Sequence, residues 1–256
     1  MKNSLFAFLL LAISFVAEAQ SSDRSVRFGV VATPGLSWLK TVDLGQDRDG
    51  VGFAFGYGLQ MEFNLGKYIA LGFNLTQSNY NATVEYTDSV DFVYTEIVQG
   101  EPTETKTVRI VDRTYSFNTI ELPIYLKLKT PEIGYLTYFV EAGILANINY
   151  KVEASKNTTV TGGFTSNDLA DIDANDETNW FRAASVLGGG IEYNLIGNTS
   201  LIVGVLWSRA FTSAMEGSGR YDGQDDANKL VYAGTSNAFK QKANLDFINL
   251  KVGILF

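Results

Sequence analysis

Five acidic residues crowd into SNDLADIDANDETNW, residues 166–180: Asp168, Asp171, Asp173, Asp176 and Glu177. Carboxylates at alternate positions are calcium-loop chemistry, and Asp171-x-Asp173-x-Asn175 begins like an EF-hand. The pattern then breaks. Asp176 stands where the sharp turn needs glycine, and Arg182 stands where a bidentate Glu closes the shell. The segment reads as a solvated acidic loop, with a weak surface calcium site as the alternative. GRYDGQDDANK, residues 219–229, reads the same way, as a charged turn. No metal site is expected from either.

Other chemistries are closed off by residue type. The chain has no His and no Cys, which removes imidazole bases, thiolate nucleophiles, disulfides and the usual transition-metal ligands. VLGGGIEYNL is glycine-rich, but it lies in a strand pattern with no helix after it, so it is no phosphate cradle. A carboxylate pair acting alone is the remaining catalytic option, and no pair stands out. The reading is therefore no catalytic residues, no cofactor and no enzyme. The net charge of −8 without a basic block argues against nucleic acid.

The charges that stand out are spaced along strands. In IELPIYLKLK, residues 120–129, Ile120, Leu122, Ile124, Leu126 and Leu128 occupy every second position. Glu121, Pro123, Tyr125, Lys127 and Lys129 lie between them. The same alternation predicts eight strands: Val26–Trp38, Val51–Leu65, Tyr68 to about Tyr86, Thr114–Lys129, Gly134–Val152, Ala183–Asn194, Ser200–Thr212 and Asn244–Phe256. Short connections at 64–67, 130–133 and 195–199 alternate with long ones at about 40–50, 87–113, 153–182 and 213–243. An up-and-down barrel in an outer membrane has that parity, with short periplasmic turns and long outer loops. The apolar set then faces lipid, where only a closed sheet satisfies every backbone group.

The opposite face carries many glycines, which leave room for larger neighbours, and eight charges: Arg27, Glu62, Glu121, Lys127, Lys129, Glu141, Glu192 and Lys251. Charges in a narrow interior must be paired, so a lumen ion-pair network that includes Glu121, Glu141, Lys127 and Lys251 is expected. Its role is structural first, with transport or binding as the alternative. Pro123 has no N–H for the ladder, which predicts a bulge or an unpaired carbonyl beside it. Trp207 and Tyr193 are expected at the lipid boundaries.

MKNSLFAFLLLAISFVAEAQ has a charged start, an apolar run and an Ala-x-Ala site, the pattern of a secretory signal cleaved after Ala19. Residues 1–19 are thus a signal peptide and 20–256 the barrel domain. With FNTIELPIYLKLK, VLGGGIEYNL and the terminal FINLKVGILF, the chain resembles the PorT-like outer-membrane barrel family of Bacteroidetes. That resemblance implies an all-β, eight-stranded antiparallel up-and-down barrel in the cell outer membrane. One namesake is linked to assembly of a gliding-associated secretion system, while most members have no assigned activity. The last strand, ending in Phe256, also resembles the signal read by barrel-insertion machinery.

The functional expectation is a non-enzymatic outer-membrane barrel. Its partners are outer-membrane lipid, the insertion machinery and an extracellular or envelope protein met through the loops; support of a secretion or envelope assembly fits this. Two alternatives stay open. One is a narrow channel or small-molecule binder using the inward charges. The other is a soluble periplasmic binder like a lipocalin, with its apolar face inside.

Overall fold

Alternating aromatic, β-branched and small residues suit a pleated surface with two unlike faces. In the computed structural model, which describes residues 25–41, 46–98, 101–155, 172–215, 230–232 and 242–256, the long alternating runs are all strands. They are β1 (Val26–Ala32), β2 (Gly35–Thr41), β3 (Gln46–Asp49), β4 (Gly52–Asn64), β5 (Ile69–Val98), β6 (Glu101–Lys129) and β7 (Leu136–Ser155). After these come β8 (Ile172–Asp173), a 3-10 turn at Asn175–Glu177, β9 (Phe181–Ile196), β10 (Thr199–Ala210), β11 (Leu230–Tyr232) and β12 (Ala243–Leu255).

All pairings are antiparallel, and the sheet closes on itself. β1 and β2 are two halves of one stave, broken at Thr33-Pro34, and both pair with β4 on one side and β12 on the other. The ring continues β4–β5–β6–β7–β9–β10–β12 and so contains eight staves. Phe256 helps to close the seam, its N–H donating to the Phe28 carbonyl at 2.7 Å. Within the ring, closure leaves no open edge to template aggregation.

The two ends of the ring differ. Three tight turns lie at one end, at 65–68, 130–135 and 197–198; Gly134 and Gly197 take φ of 68° and 61°, which suits glycine. The other end carries the long segments. One of these corrects the sequence reading. Residues 87–98 and 101–113, expected as a loop, belong to β5 and β6, whose pairing reaches from Ile69↔Leu128 out to Val98↔Glu101 with register shifts after Glu85 and Glu96. Strand pairing continues past the membrane-facing part, where polar outward residues replace apolar ones without ending the strand. β3 and β11 add to the outer side of β5 at Thr83–Tyr86 and Phe92–Tyr94.

The faces are those of a barrel in lipid. On β6, Ile120, Leu122, Ile124, Leu126 and Leu128 are all exposed, while Glu121, Tyr125 and Lys127 are buried. The other staves repeat this: Phe53, Phe55, Tyr57 and Leu59 point out from β4, and Trp207 and Tyr193 are exposed on β10 and β9. A lipocalin-like binder needs the reverse orientation, with its apolar set inside. The larger sealed apolar cluster occupies the loop-side half of the lumen, built from Tyr80, Tyr115, Phe117, Val152, Leu245 and Phe247 among others, and a small one of Phe139, Ile202 and Leu255 lies toward the tight turns.

Pro123 produces a gap, not a bulge. Its ladder with β7 is regular through Leu122↔Ala146, Pro123↔Leu145 and Ile124↔Ile144. On the β5 side, pairing runs to Phe73↔Ile124 and resumes at Thr76↔Glu121 in the same register. The two positions between lose their pairing where proline has no N–H to give.

Candidate functional site in the barrel lumen

The inward charges are layered along the axis. Nearest the tight turns, the Lys127 ammonium lies 2.6 Å from Glu62 Oε1 and also contacts Glu192. Arg27 reaches Glu192 at 2.8 Å and Glu62 at 3.8 Å, and donates to Ser200 Oγ at 2.9 Å. Lys127 stands on β6 and Glu62 on β4, and the intervening β5 offers only Ala70 and Gly72 at this level. Those small residues let the lysine cross a whole strand. Lys129 completes the layer by donating to Asn64 Oδ1 at 2.7 Å.

One step up, Lys251 lies 3.1 Å from each oxygen of Glu141 and 4.7 Å from the centre of the Tyr125 ring. The Tyr125 hydroxyl donates to Asn74 Oδ1 at 3.2 Å. Gly190 and Gly204 make room for Phe139 beneath them; a Cβ on either would come within 3.0 and 3.2 Å of its ring.

Glu121 stands apart from these pairs. It accepts hydrogen bonds from the hydroxyls of Tyr80 at 2.7 Å, Ser78 at 2.8 Å and Thr76 at 3.3 Å. Three donors hold a carboxylate without a directly bonded cation. Between Glu121 and Glu141 lies a cavity of about 30 Å³, bordered by Thr33, Asn74, Thr76 and Tyr125. That is room for little more than water, well short of the roughly 300–1,000 Å³ of ordinary ligand sites.

Above Glu121 the lumen is closed. Arg182 is sealed against the Phe117 ring, 5.5 Å from its centre, and donates to Asn149 Oδ1 at 3.3 Å. Arg113 bridges to Glu177 at 2.5 Å, and the Tyr115 hydroxyl donates to the same carboxylate oxygen at 3.1 Å. This ties the 3-10 turn across the mouth. Asn179 Nδ2 then donates to the carbonyls of Ser213 at 3.0 Å and Met215 at 2.9 Å. Ala174, Ala214, Met215 and Leu245 pack beneath as an apolar roof.

Two members of the acidic loop thus have local partners. Glu177 holds Arg113, and Asp173 Oδ1 accepts from the Asn175 N–H at 3.0 Å and from its side-chain amide at 2.6 Å. Asp168, Asp171 and the charged turn at 219–229 lie outside the described residues, as do the segment 1–24 and the side chain of Asp176. Arg113, Arg182 and Tyr80 escaped the sequence reading of the lumen. Arg113 and Arg182 sit just beyond the strand limits set at Thr114 and Ala183, on the inward parity. Carrying each strand one residue further would have found them.

A family model described as outer membrane protein beta-barrel domain matches residues 18–216. No curated protein matches the chain by sequence. Among solved structures it is similar to Neisserial surface protein A at 8% identity and a TM-score of 0.44, covering 91% of this chain and 96% of that one. It is also similar to Ail, the attachment invasion locus protein of Yersinia pestis, at 9% identity and TM-score 0.36, with 91% and 100% covered. The outer membrane protein OprG from Pseudomonas aeruginosa matches at 10% identity and TM-score 0.38, with 90% and 94% covered.

Proposed function

The chain belongs to the outer membrane protein beta-barrel domain family, and from that premise we propose a non-enzymatic outer-membrane protein that acts through its loop-side surface. The observation that carries this reading is the length of β5 and β6, 30 and 29 residues. A strand needs about 9–11 to cross a membrane. The excess forms a paired blade beyond the apolar belt, braced by β3 and β11. A blade of that length is an interaction surface for an extracellular or envelope protein, and it suits support of a secretion or envelope assembly. The PorT-like resemblance, the signal peptide cleaved after Ala19, the tight turns on the periplasmic side and the Phe256 insertion signal complete the proposal.

The channel and small-molecule alternatives find less support. The apolar roof lies above the inward charges, and the lumen cavity is of water size. The eight charges serve as internal ballast, each bonded where it stands.

The test has two stages. Membrane fractionation with boiled and unboiled gel samples reads the barrel, which migrates faster unboiled. A variant with residues 86–111 replaced by a short turn, which keeps Arg113 on Glu177, should keep that mobility shift while losing its surface crosslinks to neighbouring proteins. Unchanged crosslinks would remove the blade from the proposal.

A further inference from the structure

A second feature lies on the outward surface, independent of the blade. Two rows of side chains cross the staves there. Val30, Leu59 and Leu75 stand side by side in one row, and Tyr57, Gln77 and Ile120 in the next row toward the loops. Between them runs a groove of about 510 Å³, within the range of specific ligand sites. Its lining also includes Val31, Gly58 and Thr76, which lie on the inward parity. They lie between the two rows in sequence, so their backbone forms the floor of the groove. At Gly58 the neighbouring strand comes close to that floor: a Cβ there would strike the Leu75 carbonyl and come within 2.6 Å of the Thr76 Cα.

The loop-side rim is polar. Tyr57 donates to Gln77 Oε1 at 3.0 Å, and Gln77 Nε2 donates to the Tyr150 hydroxyl at 2.8 Å. Having accepted from Gln77, Tyr150 keeps its own proton to donate. This rim lies where the outward face changes character. On β5 the apolar series ends at Leu75 and continues as Gln77, Asn79 and Asn81; on β6 it ends at Ile120 and continues as Asn118 and Ser116. Asn79 bonds Ser116 at 3.0 Å and Asn118 at 3.1 Å, a polar ladder suited to the headgroup zone.

We infer that this groove seats one membrane lipid of the loop-side leaflet, with an acyl chain along Val30, Leu59 and Leu75 and a headgroup oxygen on the Tyr57–Gln77–Tyr150 chain. A lipid fits because the groove opens on the outward apolar face of a family of outer-membrane barrels, with an apolar row on its turn side and a polar-rimmed row on its loop side, the order of a lipid's chain and head.

Native mass spectrometry of protein extracted from its own membrane in mild detergent tests this. The wild type should carry one lipid that survives collisional removal of the rest. Leu59→Trp fills the groove and should reduce that adduct at least tenfold. Gln77→Leu cuts the rim and should weaken it several-fold. Leu126→Trp, also lipid-facing but outside the groove, should leave it unchanged. Heat-modifiable mobility of each variant confirms that the barrel has formed. Equal retention in the Leu59 and Leu126 variants, or no retained lipid in the wild type, would overturn the site while leaving the blade untouched.

Discussion

Lys251 places its ammonium 3.1 Å from both carboxylate oxygens of Glu141, with both side chains sealed inside the barrel. The pair joins β12 to β7 across the lumen. Removing one partner strands the other charge in a low-dielectric interior, at a cost of about 3–5 kcal/mol. Glu141→Gln and Lys251→Met should each lower the urea midpoint of the detergent-folded barrel accordingly. Glu141→Leu with Lys251→Met should recover most of the loss. A double variant as unstable as the singles would mean that the pair holds the fold together through geometry and not through charge.

Gly72 and Tyr125 face each other in the lumen on β5 and β6. A Cβ at Gly72 would fall on the Tyr125 ring and come within 2.7 Å of its hydroxyl. The ring cannot retreat freely, because its hydroxyl holds Asn74 and its face receives Lys251. Gly72→Val should therefore destabilise by about 1–3 kcal/mol, the usual range for overpacking. Adding Tyr125→Leu should restore part of that, which the same unfolding assay reads.

Much of this architecture was legible because the lipid belt imposes an apolar series at alternate positions along most strands. Ile120 to Leu128 shows the face, and the Gly197 and Gly134 turns show the parity of the connections. The blade was not legible. Beyond Leu75 and Ile120 the outer face meets water, so the pattern that marks a lipid-facing strand vanishes while the backbone pairing continues. Arg113 and Arg182 were lost by one residue each, since their strands were begun at Thr114 and Ala183. Glu121 was assigned to a charge network on parity alone. Periodicity assigns a side to a residue but not a height, and height is what separates it from Lys127 and sets it among three hydroxyls.

The apolar roof predicts electrical silence. In planar bilayers the wild-type barrel should show no conductance steps. Lys127→Met breaks the turn-side charge layer but leaves Phe117, Met215 and Leu245 in place, so it should stay silent too. Steady steps from the Lys127 variant alone would place the seal at the charge layer and revive the channel reading.

Pro123 offers a test of what interrupts the β5–β6 ladder. It is buried on the inner face, opposite Asn74 by register, and pairing lapses here between Phe73↔Ile124 and Thr76↔Glu121. If the missing N–H is the cause, Pro123→Val supplies it at similar volume and permits one more ladder bond, worth about 0.5–1.5 kcal/mol. Backbone freedom gained in the unfolded chain offsets part of this. The expected result is therefore an unfolding midpoint unchanged or slightly raised, with the newly introduced amide exchanging as slowly as its β6 neighbours. A fast-exchanging amide and a lowered midpoint would place the cause in β5, whose backbone at Asn74 and Leu75 would then be turned away from β6 on its own account. The close approach of Gly58 to the Leu75 carbonyl and Thr76 would be the source of that turn.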